Sequence, residues 1–175
     1  TGQVDFSNAA GITDSAAAMA TDDAGGTIVT AFGVATNGTL TSDGDGATAV
    51  TVNTAATVAQ AGTIAQATTG QVDFAGGIAG NINTMFAEGA VTAAFGFATD
   101  NTAGAGDGDV AVTVADAVTV EEGVVVAFAT TGTLDFTTGI SGTAGTMANA
   151  ETGAVITDFN TVALRDTDIK VVVTD

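Results

Sequence analysis

One six-residue phrase recurs three times in this chain: Thr1-Gly2-Gln3-Val4-Asp5-Phe6, Thr69-Gly70-Gln71-Val72-Asp73-Phe74 and Thr131-Gly132-Thr133-Leu134-Asp135-Phe136. Behind each copy the same landmarks follow in the same order. A methionine comes first (Met19, Met85, Met147), then an apolar run built on Phe32, Phe95 or Phe159, then an acidic turn, then a β-branched triplet: Val50-Thr51-Val52, Val112-Thr113-Val114 or Val171-Val172-Val173. Ordered landmarks repeated at a long period mark one structural unit used several times. The units are residues 1–68, 69–130 and 131–175, the third cut short after its triplet. Units of this size without disulfides are too small to bury separate cores, so the expectation is a single fused domain over residues 1–175.

The phrase alternates, with Val4 and Phe6 on one side and Gln3 and Asp5 on the other, the period of a half-buried strand. The segments after it, Ser15 to Ala20, Ile78 to Phe86 and Ile140 to Ala148, are rich in small residues. They read as loops with at most a short helical turn, the methionine filling a core gap. Apolar stretches elsewhere read as strands: Thr27 to Ala35, Thr39 to Thr41, Ala47 to Asn53 and Thr57 to Ala67 in the first unit; Ala90 to Ala98, Val110 to Ala115, Val118 to Val120 and Val124 to Thr130 in the second; Ala154 to Leu164 and Ile169 to Thr174 in the third. Here composition matters. The chain is 46% hydrophobic, mostly Ala and Val, with 24 Gly and no Pro, which favours pleated surfaces and glycine or Asx turns. Together these readings predict an all-β fold, a β-sandwich or barrel-like body, rather than a solenoid, whose coils repeat at shorter periods.

Charge excludes several functions. Two basic residues stand against 20 carboxylates, a formal net charge of −18, so phosphate backbones are repelled and nucleic-acid partners are ruled out. No apolar run is long enough to span a bilayer. The chain has no His and no Cys, so nucleophile systems built on either residue, and the usual zinc sites, cannot form. Trp and Tyr are also missing, which removes the aromatic platforms of a carboxylate-pair glycosidase. The expectation is a protein without enzymatic activity.

The acidic turns are the candidate binding residues. Asp43 and Asp45, Asp107 and Asp109, and Asp166 and Asp168 are closely spaced carboxylates on glycine- or threonine-containing backbone, the hard oxygens that calcium takes. None begins an EF-hand, since position twelve counted from Asp43 is Thr54. Each pair alone reads as well as a solvated turn, and only their recurrence points to calcium. Thr21-Asp22-Asp23 has no counterpart in the other units and reads as solvated surface. Lys170 reads as an edge lysine that deters wrong strand pairing.

In its strand-like runs (Val110 to Val114, Val124 to Phe128), its Thr, Ala, Gly and Asp composition and its missing catalytic residue types, the chain resembles the secreted prokaryotic β-sandwich subunits of pili, extracellular fibres and surface layers. That resemblance implies a structural subunit that self-assembles with copies of itself outside the cell, often by strand exchange. A start at Thr1 fits a mature product after removal of a targeting segment. The alternative function is a monomeric extracellular adhesin or binding module for glycan, ice or a calcium-dependent ligand. The truncated third unit adds a mechanism. Units one and two continue past their triplet through Ala55 to Thr68 and Ala115 to Thr130, whereas unit three stops at Asp175, which predicts an unfilled strand position. Thr1 to Phe6 and Ile169 to Asp175 are the candidate donor and receiving edges, in either order.

Overall fold

The computed structural model describes residues 11–23, 25–37, 47–99 and 106–174. The first unit contains β1 (Ile12–Asp14), α1 (Ala16–Met19), α2 (Thr30–Asn37), β2 (Val50–Val52), β3 (Ala56–Thr57) and α3 (Val58–Ala67). The second contains β4 (Val72–Asp73), β5 (Ile78–Gly80), α4 (Ile82–Met85), β6 (Phe86–Ala87), β7 (Ala90–Val91), α5 (Ala93–Thr99), β8 (Val112–Val114), β9 (Val118–Thr119) and α6 (Val120–Ala129). The third contains β10 (Leu134–Phe136), β11 (Ile140–Gly142), α7 (Ala144–Met147), α8 (Thr157–Ala163) and β12 (Val171–Val173).

The fold is therefore mixed α/β and not the expected all-β sandwich or barrel. Five stretches read as strands are helical: Thr27 to Ala35 overlaps α2, Thr57 to Ala67 contains α3, Ala90 to Ala98 mostly α5, Val124 to Thr130 the end of α6, and Ala154 to Leu164 holds α8. The physical reasons are local. Thr57 caps α3 by accepting the Gln60 N–H (3.3 Å) while the Gln60 side chain accepts the Thr57 N–H (3.1 Å), a reciprocal capping box repeated by Thr119 and Glu122 at α6. The Met segments each hold one helical turn, with Met19, Met85 and Met147 buried, and add a strand before it in β1, β5 and β11. The Thr39 to Thr41 strand falls outside the described residues.

Every strand pairing between the repeat's main strands is parallel. The sheets run β1-β2-β4, β10-β8-β5-β3 and β12-β11-β9, with a small antiparallel hairpin of β6 and β7. The rule behind this order is simple. Within a unit, the strand after the phrase pairs with the Val-Thr-Val strand (β1 with β2, β5 with β8, β11 with β12). The phrase strand of the next unit then adds on the far side of Val-Thr-Val (β4 on β2, β10 on β8). The closing strand of the previous unit adds on the other side (β3 on β5, β9 on β11). Each parallel sheet among the described residues is thus woven from consecutive units.

Glycine enables the turn that starts the second strand of each unit. Gly11, Gly77 and Gly139 all have positive φ (80°, 78° and 92°), and a Cβ there would crowd the carbonyl of Ala49, Ala111 or Lys170. Above the sheets, α3 packs on α5 and α6 on α8, tying neighbouring units together. One apolar cluster runs from Ala16 to Val162, with Val50, Val52, Val112, Val114, Ile64 and Phe95 fully buried.

Candidate functional site

The acidic turn between the Phe-bearing helix and the Val-Thr-Val strand is where consecutive phrases meet. Asp107 is anchored by its own N–H, which donates to the Ala98 carbonyl at the end of α5 (2.8 Å). Its carboxylate oxygen Oδ2 accepts the Phe74 N–H at 2.8 Å, so it caps the end of the phrase that opens its own unit. One and three residues on, the same turn holds the phrase of the next unit. The Gly108 carbonyl accepts the Thr131 N–H (2.7 Å), and the Val110 carbonyl accepts the Thr130 hydroxyl (2.7 Å), which in turn accepts the Gly132 N–H (2.9 Å). Asp166 repeats the first contact on Phe136 at 2.8 Å, and Thr68 repeats the second on the Thr48 carbonyl at 2.7 Å. The glycine of the phrase follows from this crowding: a Cβ at Gly70 would run into the carbonyls of Ala47 and Thr48, and one at Gly132 into those of Asp109 and Val110.

Burial raises the Asp107 carboxyl to about 6, helped by a hydrogen bond with the Asp109 side chain and opposed by the Phe74 N–H. Asp166 is raised by the same burial, with the Phe136 N–H opposing and the Asp168 carboxyl adding to the rise. The inner aspartate of each pair is thus a buried structural acceptor, and its outer neighbour is exposed.

These contacts refine the residues singled out for calcium. Asp107 with Asp109, and Asp166 with Asp168, do come together, but as pairs. Among the described residues no group of three or more acidic side chains is gathered around one point. Asp43 and Asp45 lie outside the described residues. Counting back from each Val-Thr-Val strand puts Asp45, Asp107 and Asp166 at one position, with Ala47, Asp109 and Asp168 at the other. The first-unit pair is therefore not the register equivalent of the other two. Asp23 accepts from the Thr21 hydroxyl (3.0 Å) in an exposed turn, the solvated arrangement expected.

Two participants were not anticipated. Arg165, next to Asp166, sends its guanidinium to the carbonyls of Ala127 and Thr130 (2.9 Å each) and of Gly132, closing the C-terminal end of α6 onto the third phrase. Its signal was available, since it is one of two basic residues in the chain and abuts an acidic turn. Asp116, beyond β8, accepts the Ile82 N–H at 2.7 Å and caps α4 from outside, as the Thr54 hydroxyl does for Ala16 at 3.0 Å. No helix among the described residues is long and apolar enough to cross a membrane. No family model, curated protein or solved structure gives a significant match to this chain.

Proposed function

We propose that this chain is a structural repeat protein, a subunit that assembles with copies of itself into an extracellular filament or surface layer. The observation that carries the reading is the weave of the sheets: Val-Thr-Val strands take their outer neighbour from the following unit, as β8 takes β10. Such a body is quasi-one-dimensional, each unit stabilised by its neighbours. Acidity and the missing catalytic residue types favour a structural role over chemistry, and composition favours the cell exterior.

Assembly must overcome repulsion between subunits of net charge −18, which salt screens within about 8 Å at physiological ionic strength. Sedimentation velocity and electron microscopy across protein and NaCl concentration test the reading. Oligomers that grow with both are expected, and a monomer under every condition overturns it. Calcium at the acidic turns is part of the same proposal: at matched ionic strength it should promote assembly more than sodium does, with reversal by chelator, and equal effects would remove calcium from it.

A further inference from the structure

Two grooves stand at the same place in successive repeats. The first, of about 580 Å³, opens between the start of α3, the bend from β5 into α4 and the start of α5. The second, of about 400 Å³, opens between α6, α7 and the start of α8. Their walls correspond position by position. Val58 and Val120 each follow the capping threonine of their helix, Thr84 and Thr146 each precede the buried methionine, and Ala94 and Asp158 each precede the phenylalanine of the repeat. Each groove also holds a pair of carboxylates, yet from positions that do not correspond. In the second they are Glu121 and Asp158, whose equivalents in the first are Ala59 and Ala94. In the first they are Asp22 and Asp23, on the connection from α1 to α2, which in the second unit is only a tight hairpin turning at Glu88 and Gly89. The charge is kept while its source changes, which the repeated backbone does not by itself require.

We infer that these grooves bind lysine or arginine side chains from a basic segment of a partner protein. The chemistry of the walls selects this occupant. Neither of the chain's two basic residues lines a groove: Arg165 is spent on carbonyls at the end of α6, and Lys170 precedes β12. The paired carboxylates therefore have no cation of their own chain within the groove, and a net charge of −18 draws cations toward them. Beside the acids, Val58, Ala59 and Ala79 in the first groove, and Val120, Val124 and Val125 in the second, offer apolar surface to an aliphatic stem. A bare metal ion would leave that surface unused. Asp23 is held in place by accepting the hydroxyls of Thr21 (3.0 Å) and Thr27 (3.4 Å). Asn81, also in the first groove, does not spend its side chain on the start of α4, where Asp116 accepts the Ile82 N–H instead. One exposed contact between a cation and a carboxylate is weak, so two grooves on one chain suit a segment that offers several basic side chains at once. A copy of this chain, with two basic residues, is a poor source of such a segment, and the inference stands apart from self-assembly.

The test titrates the full-length chain into a fluorescein-labelled hexalysine peptide at about 0.15 M ionic strength and follows anisotropy. Asp22→Asn with Asp23→Asn, and Glu121→Gln with Asp158→Asn, should each weaken binding about three- to fivefold, and all four together should weaken it further. The control, Asp73→Asn with Glu151→Gln, removes the same charge from exposed residues that line neither groove and should change affinity by less than about twofold. Equal weakening by the groove pairs and the control overturns the proposal, because it marks attraction to the chain's overall charge. Shape is tested separately. Ala59→Leu fills the first groove at constant charge and should weaken binding, whereas Ala59→Glu reproduces Glu121 and should tighten it. Circular dichroism checks that both variants fold, and the charge pairs decide alone if either does not. Two folded Ala59 variants that bind like the parent overturn the first groove as the seat of the peptide. Spermidine that binds more tightly than the peptide, with the same loss in the groove pairs, overturns the protein partner in favour of a free polyamine.

Discussion

At Asp107 a single carboxyl does what a turn of solvated acids would not. It takes the Phe74 N–H, an otherwise unpaired backbone donor in a buried place, and holds a phrase strand against the core. The cost is a charge in a poorly hydrated site, which is why its carboxyl rises to about 6. The sign of the consequence follows from linkage. Raised above the ordinary 3.8, the group binds its proton more tightly in the folded chain, so its contribution is complete below 3.8 and is lost as pH rises through about 6. Acidifying from pH 7.5 to 5 should therefore raise Tm. Asp107→Asn keeps an oxygen for Phe74 and carries no charge, so its Tm should depend less on pH and match or exceed the parent at pH 7.5. Asp107→Ala leaves the donor unsatisfied and should cost about 1–3 kcal/mol by chemical denaturation. A parent and Asp107→Asn with superimposable Tm against pH curves would remove this account. The sequence made the recurring aspartates visible but not their role, because two acids beside glycine look the same whether they face water or a backbone N–H 33 residues away.

At the level of elements, short strands were legible and helices were not. The phrase and Val-Thr-Val strands carry β-branched alternation, and β4, β8, β10 and β12 fall where that pattern puts them. By contrast, α6 contains Val124-Val125-Val126, a run that favours strand by propensity and is helical here because α6 is capped at Thr119 and packed on α8. Glycine misled in the same way. Gly62 sits inside α3 not as a turn residue but as a contact surface: a Cβ there would press on the backbone of Ala94, on α5, at 2.6–2.8 Å. Gly62→Ala gains helix propensity yet should still destabilise, and Gly62→Val should do so by about 1–3 kcal/mol or more, since it must push α3 and α5 apart. Urea midpoints for the two variants rank the effects; a Gly62→Val protein as stable as the parent would mean that this helix pair is not closely packed in solution. The capping signals Thr57-x-x-Gln60 and Thr119-x-x-Glu122 were present in the sequence and mark both helix starts.

For the whole molecule, the threefold repeat was readable from the first phrase, while the way the units join was not, because parallel pairing between units leaves no short hairpin turn to read. The period that argued against a solenoid belongs to a larger unit of four main strands and three helices, seen complete in the second repeat, whose strands pair with those of the units before and after it. Such an array makes a strong demand on stability: if each unit is held by its neighbours, adding an interior unit adds its own interfaces and takes none away. Duplicating residues 69–130 in tandem places a second phrase after Thr130, where Thr131 now begins, and gives the first copy of β8 a phrase strand of the Thr69–Phe74 type that β2 already accepts. The new combinations are α6 on a second α5 in place of α6 on α8, β9 beside a second β5 in place of β11, and β8 beside a second β4 in place of β10, each joining elements that already have an equivalent partner here. The four-unit chain should unfold at a higher urea concentration than the three-unit chain, with a larger m-value in proportion to the added surface. A lower midpoint, or two separated transitions with one at the parent's position, would show that the units do not couple through their shared sheets.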